Sequence, residues 1–567
     1  MENKIQLWLT GLYDEETKKE IIRLQKEDPN ELKEAFYRDL DFGTGGLRGI
    51  MGVGPNRMNK YTVGAATQGL ANYLKKSFPD TKISVAIAYD SRINSQFFAN
   101  ITADVLSANN INVFLFDNLR PTPELSFAVR HLKCQSGIVI TASHNPKEYN
   151  GYKVYWSDGG QLVPPHDKNV IAAVREVDDV KKINFNRNKE LVFSIGDEID
   201  EIYLNKIQQL ALSPDKIKEN ANLPIVYTPL HGAGVNLVPR ILKKIGFNNI
   251  IHVEEQDVID GNFPTVKSPN PEERSALEMA ISKAEKTNAE LILATDPDAD
   301  RVGVGVRDKN GKYILLNGNQ TASLLSYYVL LRLKETNKLP QNPMMVKTIV
   351  TTELLSEIAK DFGVKMYNVL TGFKYIAEII RLKENEEKFI GGGEESYGYL
   401  FADFVRDKDA VMSCCLIADM AAWAASQNKN LLDILDDIYS KYGYYAESLI
   451  SITKKGINGQ LEIENIMKNF RENPPKKIAN SDVVIIKDYK LGKSHNVKEN
   501  VSTEIDLPKS NVLQFILDDK SCITVRPSGT EPKIKFYFSA ISSLKGSEGS
   551  TQVKERIKEI ENDFKNV

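Results

Sequence analysis

The chain has 567 residues, of which 26% are charged and 42% apolar, and carries a net charge of −3. That length exceeds what one core supports; at roughly 150 residues per domain it calls for three to five domains, about four. A near-neutral balance gives no general attraction to nucleic acid or to an anionic membrane, so any anion site must be a local cluster of Lys and Arg.

Cys134, Cys414, Cys415 and Cys522 form no CxxC pair, which fits a reducing, cytoplasmic setting. The N-terminus mixes acidic and basic residues too early for a signal peptide. The longest apolar stretch, Ala410–Ala425, is interrupted by Asp419 and is shorter than a membrane span, so it reads as a buried helix.

In chain order, residues 1–40 read as a charged, helical, solvated lead-in. The run 42–59, FGTGGLRGIMGVGPNRMN, is a glycine loop that lets backbone approach a ligand, with Arg48 and Arg57 as cations. From Tyr61 helices and strands alternate: helix 65–78, strand 83–88 ending at Asp90-Ser91-Arg92, helix 96–109, strand 112–116, helix 124–131 and strand 137–140. The last delivers TASHNPKEYNGYK, residues 141–153, to its carboxyl end, where open α/β sheets place ligands. There Ser143 has His144, Asn145 and Lys153 nearby, and a serine nucleophile needs a base or cation of this kind. A simple Ser/Asn-rich turn is the plainer reading of the same residues.

The pattern restarts with strand 224–228, a helix to 244, strand 250–254, helix 275–287 and strand 291–295, which runs into Asp296-Pro-Asp298-Ala-Asp300-Arg301. Three carboxylates at this spacing converge only around a cation, and an all-oxygen set favours Mg²⁺. An EF-hand is excluded, since its sixth and twelfth positions would be Arg301 and Arg307; a solvated acidic turn stays open. A third round has helix 318–336, strand 344–349, helix 352–362, strand 365–369, then TGFKY, 371–375, and strand 389–390 leading into GGGEESYG, 391–398. Glu394 and Ser396 suit sugar hydroxyls, and Arg406-Asp407-Lys408-Asp409 follows with a cation. After about residue 444 strands 512–517, 522–525 and 534–540 lie close together without intervening helices, followed by helix 552–564, an α+β pattern. RPSGTEPKIK, 526–535, joins two of these strands; Arg526, Ser528, Gly529 and Thr530 form a candidate phosphate cradle. The fold expectation is therefore α/β: three similar mixed-sheet domains (1–215, 216–322, 323–443) and a C-terminal α+β domain (444–567).

Taken together and in this order, the arginine-bearing glycine loop, TASHNP, the DxDxDR loop, the TGxK-type loop, GEES and RPSGTEPK resemble the α-D-phosphohexomutase superfamily, and within it the phosphoglucomutase/phosphomannomutase family. The resemblance implies four domains round a central cleft and a phosphoserine at Ser143, whose phosphate joins Asp296, Asp298 and Asp300 around one Mg²⁺. It implies Arg48, His144, Lys153, Lys347 and Arg301 on the reacting side, with Lys153 or His144 as acid/base. Thr371, Gly372, Lys374, Glu394, Ser396 and Lys408 would meet the sugar, and Arg526, Ser528, Gly529 and Thr530 the other phosphate. The implied activity is interconversion of glucose 1-phosphate and glucose 6-phosphate, with glucose 1,6-bisphosphate as intermediate and activator. Mannose or pentose phosphates are alternatives, because GTGGLRG resembles a subgroup that includes phosphopentomutases; a phosphatase or a sugar-phosphate sensor would use the same loops. Small sugar phosphates are the expected partners of a monomer or homodimer, without nucleic acid or membrane.

Overall fold

The structure is a computed structural model, and it describes residues 1–43, 45–454, 457–528, 533–544 and 546–565. The chain folds into two compact units: 1–318 with 373–392 and 396–430, and 319–372 with 393–395 and 431–567.

In the first unit the N-terminal helices Glu2–Thr10, Glu15–Glu27 and Pro29–Phe36 are stopped and started by their own caps. Asp14 accepts from Thr17 N–H, and Asp28 from Glu31 N–H with Pro29 at the first helical position. The segment is helical as expected but is not merely solvated. Ile5, Trp8, Ile21, Leu24 and Leu32 pack with Phe36 and Tyr61 into a small core. The heavy charge on the outer faces hides this stripe in the sequence.

The first sheet runs Gly46–Ile50, Tyr149–Trp156, Ser136–Ile140, Ser84–Tyr89, Asn112–Phe116, Val192–Ile195. The last four are parallel, and the first two antiparallel. Two expectations need correction. The glycine loop contains the strand Gly46–Ile50, and the segment after Ser143 becomes the strand Tyr149–Trp156 instead of continuing as loop. They pair with Arg48 opposite Gly151. A Cβ at Gly151 would lie 2.4 Å from the Thr141 carbonyl oxygen, so only glycine permits this approach.

The second sheet runs Tyr313–Leu316, Val302–Arg307, Leu291–Thr295, Ile225–Thr228, Ile250–His252. The two antiparallel strands Val302–Arg307 and Tyr313–Leu316 are not apparent in the sequence, because Gly303 and Gly305 dilute the apolar alternation. The acidic stretch is thus the connection of an antiparallel strand pair.

Helix Ala410–Ala425 is buried along almost its whole length, as its composition predicts. No described helix is long and apolar enough to cross a membrane. Asp409 caps this helix, accepting from Met412 N–H at 2.8 Å and from Tyr203 Oη at 2.7 Å. Burial pushes the Asp409 carboxyl up to about 6. A raised acid contributes stability that is present below the unfolded value and lost as pH rises through the folded one. Between pH 4 and 6 the wild type therefore loses up to about 3 kcal/mol through this group. Asp409→Asn removes that part of the slope; urea unfolding at pH 4.5 and 6.5 measures it, and equal slopes in both proteins would contradict the assignment.

In the second unit, Pro343–Thr348 pairs in parallel with Lys365–Val369. The C-terminal part is an antiparallel sheet in the order Tyr444–Thr453, Lys533–Ser542, Cys522–Pro527, Leu513–Leu517, Ser481–Asp488, Lys493–Asn496, Val501–Glu504. Phe470, Phe515, Phe536, Phe538 and Phe564 join it to helices Ile457–Glu472 and Gly546–Phe564.

Candidate active site

Ser143 follows the strand Ser136–Ile140 in left-handed backbone, φ +52°. That conformation costs a non-glycine residue about 1–2 kcal/mol, so the surroundings must impose it. Ser143 N–H donates to Thr141 Oγ1 at 2.8 Å. The larger constraint is Arg92, which is buried. Its Nη2 donates to the carbonyls of Ser143, at 2.6 Å, and Asn145; its Nη1 donates to Pro146 O at 2.9 Å and Tyr149 O at 3.1 Å. One guanidinium thus binds four carbonyls of the serine loop. Asp90, 3.4 Å from Arg92 Nε, balances its charge. In the sequence Asp90-Ser91-Arg92 reads only as a strand end. A cation following a buried strand of the same sheet is the signal that points to this role.

Asp296, Asp298 and Asp300 are all buried, and each offers an oxygen within 4.8 Å of the others'. Ser143 Oγ donates to Asp296 Oδ2 at 2.8 Å. The serine and the acidic cluster, 153 residues apart in sequence, are therefore in direct contact. Thr122 Oγ1 donates to Asp298 Oδ2 at 2.9 Å, a support with no sequence signal. Lys153 Nζ donates to Asp298 at 2.7 Å and lies 3.5 Å from Asp300; Lys408 Nζ lies 3.1 Å from Asp300.

Burial, reinforced by the two neighbouring carboxylates, drives the Asp296 carboxyl well above its usual range. Burial pushes Asp298 the same way, but the Lys153 ammonium outweighs it and holds that carboxyl low. Lys153 is buried too; Asp298 and Asp300 overcome that burial and keep it protonated. His144 Nδ1 sits 3.1 Å from Ser143 Oγ, and burial with Arg301 and Arg48 nearby holds its ring neutral.

The donor set fits a hard divalent cation. It is all oxygen, it is buried, and Asp298 Oδ1 and Asp300 Oδ1 have no hydrogen-bond partner among the described residues. Magnesium at 100 times its dissociation constant is expected to stabilise the protein by about 2.7 kcal/mol. Thermal unfolding with Mg²⁺ and with a chelator checks this, and Asp298→Asn should lose most of the difference.

Lys408 is itself anchored. Asp407 Oδ1 accepts from its Nζ at 2.9 Å, and Asp407 Oδ2 accepts from Tyr155 Oη at 2.5 Å and Gln161 Nε2 at 2.9 Å. Gly398 leaves room for the lysine stem, since a Cβ there would lie 2.1 Å from Lys408 Cδ. Arg301 Nη1 donates to Glu272 at 2.7 Å and to Ser396 O at 2.9 Å. Arg48 is exposed, 3.5 Å from Asn145 Oδ1. Lys374 belongs to this unit, with Asp167 and Glu378 as its charged neighbours.

The second unit holds another group of the expected residues. Gly372 N–H donates to Glu394 Oε1 at 2.9 Å, next to Thr371. Lys347 is buried and donates to Glu353 at 2.8 Å and to Thr351 O at 3.2 Å. Arg526 stands opposite Lys535 across two strands, and Ser528 N–H donates to Lys533 O at 2.7 Å. Gly529 and Thr530 lie outside the described residues.

A buried serine in contact with Asp296 of a buried carboxylate triad, flanked by a neutral imidazole and paired lysines, is an arrangement suited to phosphoryl transfer. Three family descriptions match: phosphoglucomutase/phosphomannomutase alpha/beta/alpha domain I at 39–181, domain II at 201–311 and domain III at 317–442. The chain is 40% identical over 511 residues to a phosphoglucomutase of Staphylococcus haemolyticus, covering 89% of this chain and 91% of that one. It is 41% identical over 518 residues to a phosphoglucomutase of Staphylococcus aureus, covering 91% and 92%. In fold it is similar to a phosphoglucomutase/phosphomannomutase family protein of Burkholderia thailandensis (TM-score 0.66, 18% identity, 93% and 96% covered) and to pp63/parafusin of Paramecium (TM-score 0.67, 16% identity, 92% and 94% covered). The chain belongs to the phosphoglucomutase/phosphomannomutase family.

Proposed function

We propose that the chain interconverts glucose 1-phosphate and glucose 6-phosphate through a phosphorylated Ser143 and a glucose 1,6-bisphosphate intermediate, which also serves as activator. The observation that carries this reading is the 2.8 Å contact between Ser143 Oγ and Asp296 inside a buried carboxylate triad. Phospho-Ser143 gives its phosphoryl group to the free hydroxyl of the sugar phosphate. The P–O bond to serine breaks and the serine oxygen takes up a proton, a P–O bond to the sugar forms, and the sugar hydroxyl's proton passes to a protein base. The bisphosphate then presents its other phosphoryl group, which returns to Ser143. Asp296, Asp298, Asp300 and the serine phosphate would hold Mg²⁺, which would supply charge neutralisation for a loose transition state.

The protein groups divide the remaining work. Neutral His144 beside Ser143 Oγ can accept the serine proton on the return step. Lys153 and Lys408 offer fixed positive charge next to the triad. Arg48 and Arg301 add cations, and Lys347 completes the expected reacting-side set. Thr371, Gly372, Lys374, Glu394 and Ser396 meet the sugar; Arg526, Ser528, Gly529 and Thr530 grip the non-reacting phosphate. The working division is four domains, 1–215, 216–322, 323–443 and 444–567, in a cytoplasmic enzyme. A coupled assay on glucose, mannose and ribose 1-phosphates, with and without a bisphosphate activator, tests the substrate. Glucose 1-phosphate should give the highest kcat/KM, and a preference for either of the others overturns that part.

A further inference from the structure

Lys408 Nζ lies between two carboxylates of the first unit, 3.1 Å from Asp300 Oδ2 and 2.9 Å from Asp407 Oδ1. The two differ in what else they do. Asp300 belongs to the buried triad, so its oxygens are among those a bound cation would engage. Asp407 takes no part in the triad, and its hold on the ammonium does not depend on whether a cation is bound.

Asp407 is fixed by a strand and turn of the serine-bearing layer. Tyr155 lies two residues beyond Lys153 on the strand Tyr149–Trp156, so both side chains leave the same face. From that face Lys153 reaches Asp298 and Asp300, and Tyr155 Oη donates to Asp407 Oδ2 at 2.5 Å. The chain then reverses through Gly159, φ +82°, where a Cβ would lie 2.8 Å from Ser126 O. The reversal sets Gln161 opposite Tyr155, and Gln161 Nε2 donates to the same Asp407 oxygen at 2.9 Å. A second tie runs through the backbone: Arg406 N–H donates to Ser126 Oγ at 2.8 Å, which donates to Gly159 O at 2.6 Å. The other Asp407 oxygen, Oδ1, accepts from both Lys408 N–H and Lys408 Nζ. Burial, with Asp407 alongside, drives the Tyr155 hydroxyl far above its ordinary range, so it stays a donor. Burial also pushes the Asp407 carboxyl up, but Lys408 and Lys153 outweigh it and hold it low.

We propose that Tyr155 and Gln161 are positioning residues: by fixing Asp407 they hold the Lys408 ammonium at Asp300, so that one carboxylate of the triad is flanked by Lys408 and Lys153 together. This role rests on the phosphoryl transfer proposed above, which the two residues serve through Lys408.

Tyr155→Phe removes one buried oxygen and keeps the ring; Gln161→Ala, at a half-buried position, serves if the first variant misfolds. Timed acylation with acetic anhydride, followed by peptide mapping, reads the anchor without any turnover. Lys408 should be acylated at least about threefold faster in either variant than in wild type, with Lys153 unchanged. In the coupled assay kcat should fall about tenfold while KM for glucose 1-phosphate stays within about twofold. Adding Tyr155→Phe to Lys408→Gln should cost less than about twofold further, because the group being positioned is already gone. Unchanged Lys408 acylation, equal acceleration at Lys153, a loss confined to KM, or a fully additive loss in the double variant would each overturn the proposal. Absence of turnover in wild type would instead count against the reaction, and the acylation rates keep the two failures apart.

Discussion

Ser143→Ala leaves a folded protein that takes up no phosphate and turns over at least roughly 10⁴-fold more slowly, because the group that stores the phosphoryl is gone. The substitution removes one hydroxyl that donates to Asp296 and leaves the Asp296, Asp298 and Asp300 cluster and its lysines in place. The metal-dependent gain in thermal stability should therefore survive in reduced form, since only one donor is lost. Initial rates in the coupled assay give the catalytic loss, and unfolding with and without Mg²⁺ shows that the site is otherwise intact. A variant with near wild-type turnover would remove the phosphoserine from the mechanism.

Arg92→Ala should be the most damaging change outside the reacting groups. It leaves the carbonyls of Ser143, Asn145, Pro146 and Tyr149 without their shared donor and leaves Asp90 buried without its counter-charge. Breaking a buried pair of this kind costs about 3–5 kcal/mol. Ser143 sits in an unfavourable backbone conformation that this network enforces, so the loop should relax and the rate should fall with the stability. Arg92→Lys retains the charge but not the fork, and should recover stability more than rate. Urea unfolding and amide hydrogen exchange over 141–150 check this; unchanged exchange in the alanine variant would show that the loop holds itself.

The sequence and the structure agree where one short stretch carries its own physics. The strands 112–116, 291–295 and 365–369 and the apolar helix Ala410–Ala425 fall where their composition puts them. The acidic loop is legible because three alternating carboxylates have few uses away from a cation. What stays hidden depends on partners distant in sequence. Gly46–Ile50 is a strand only because Gly151 lets another strand approach it. Thr122 and Arg92 look like ordinary helix-start and turn residues until the fold sets them against Asp298 and the serine loop. Tyr155 reads as a strand aromatic, yet its hydroxyl holds Asp407, which holds Lys408. The charged N-terminal helices hide an apolar stripe that Tyr61, Val53 and Phe185 help to cover.

The most direct test is chemical. The protein is incubated with Mg²⁺ and glucose 1,6-bisphosphate carrying isotopically labelled phosphoryl groups, digested, and its phosphopeptides are mapped by mass spectrometry. The expected result is label on the peptide containing Ser143, discharged when glucose 6-phosphate is added. Label on a different residue, or none at all under turnover conditions, would contradict the account.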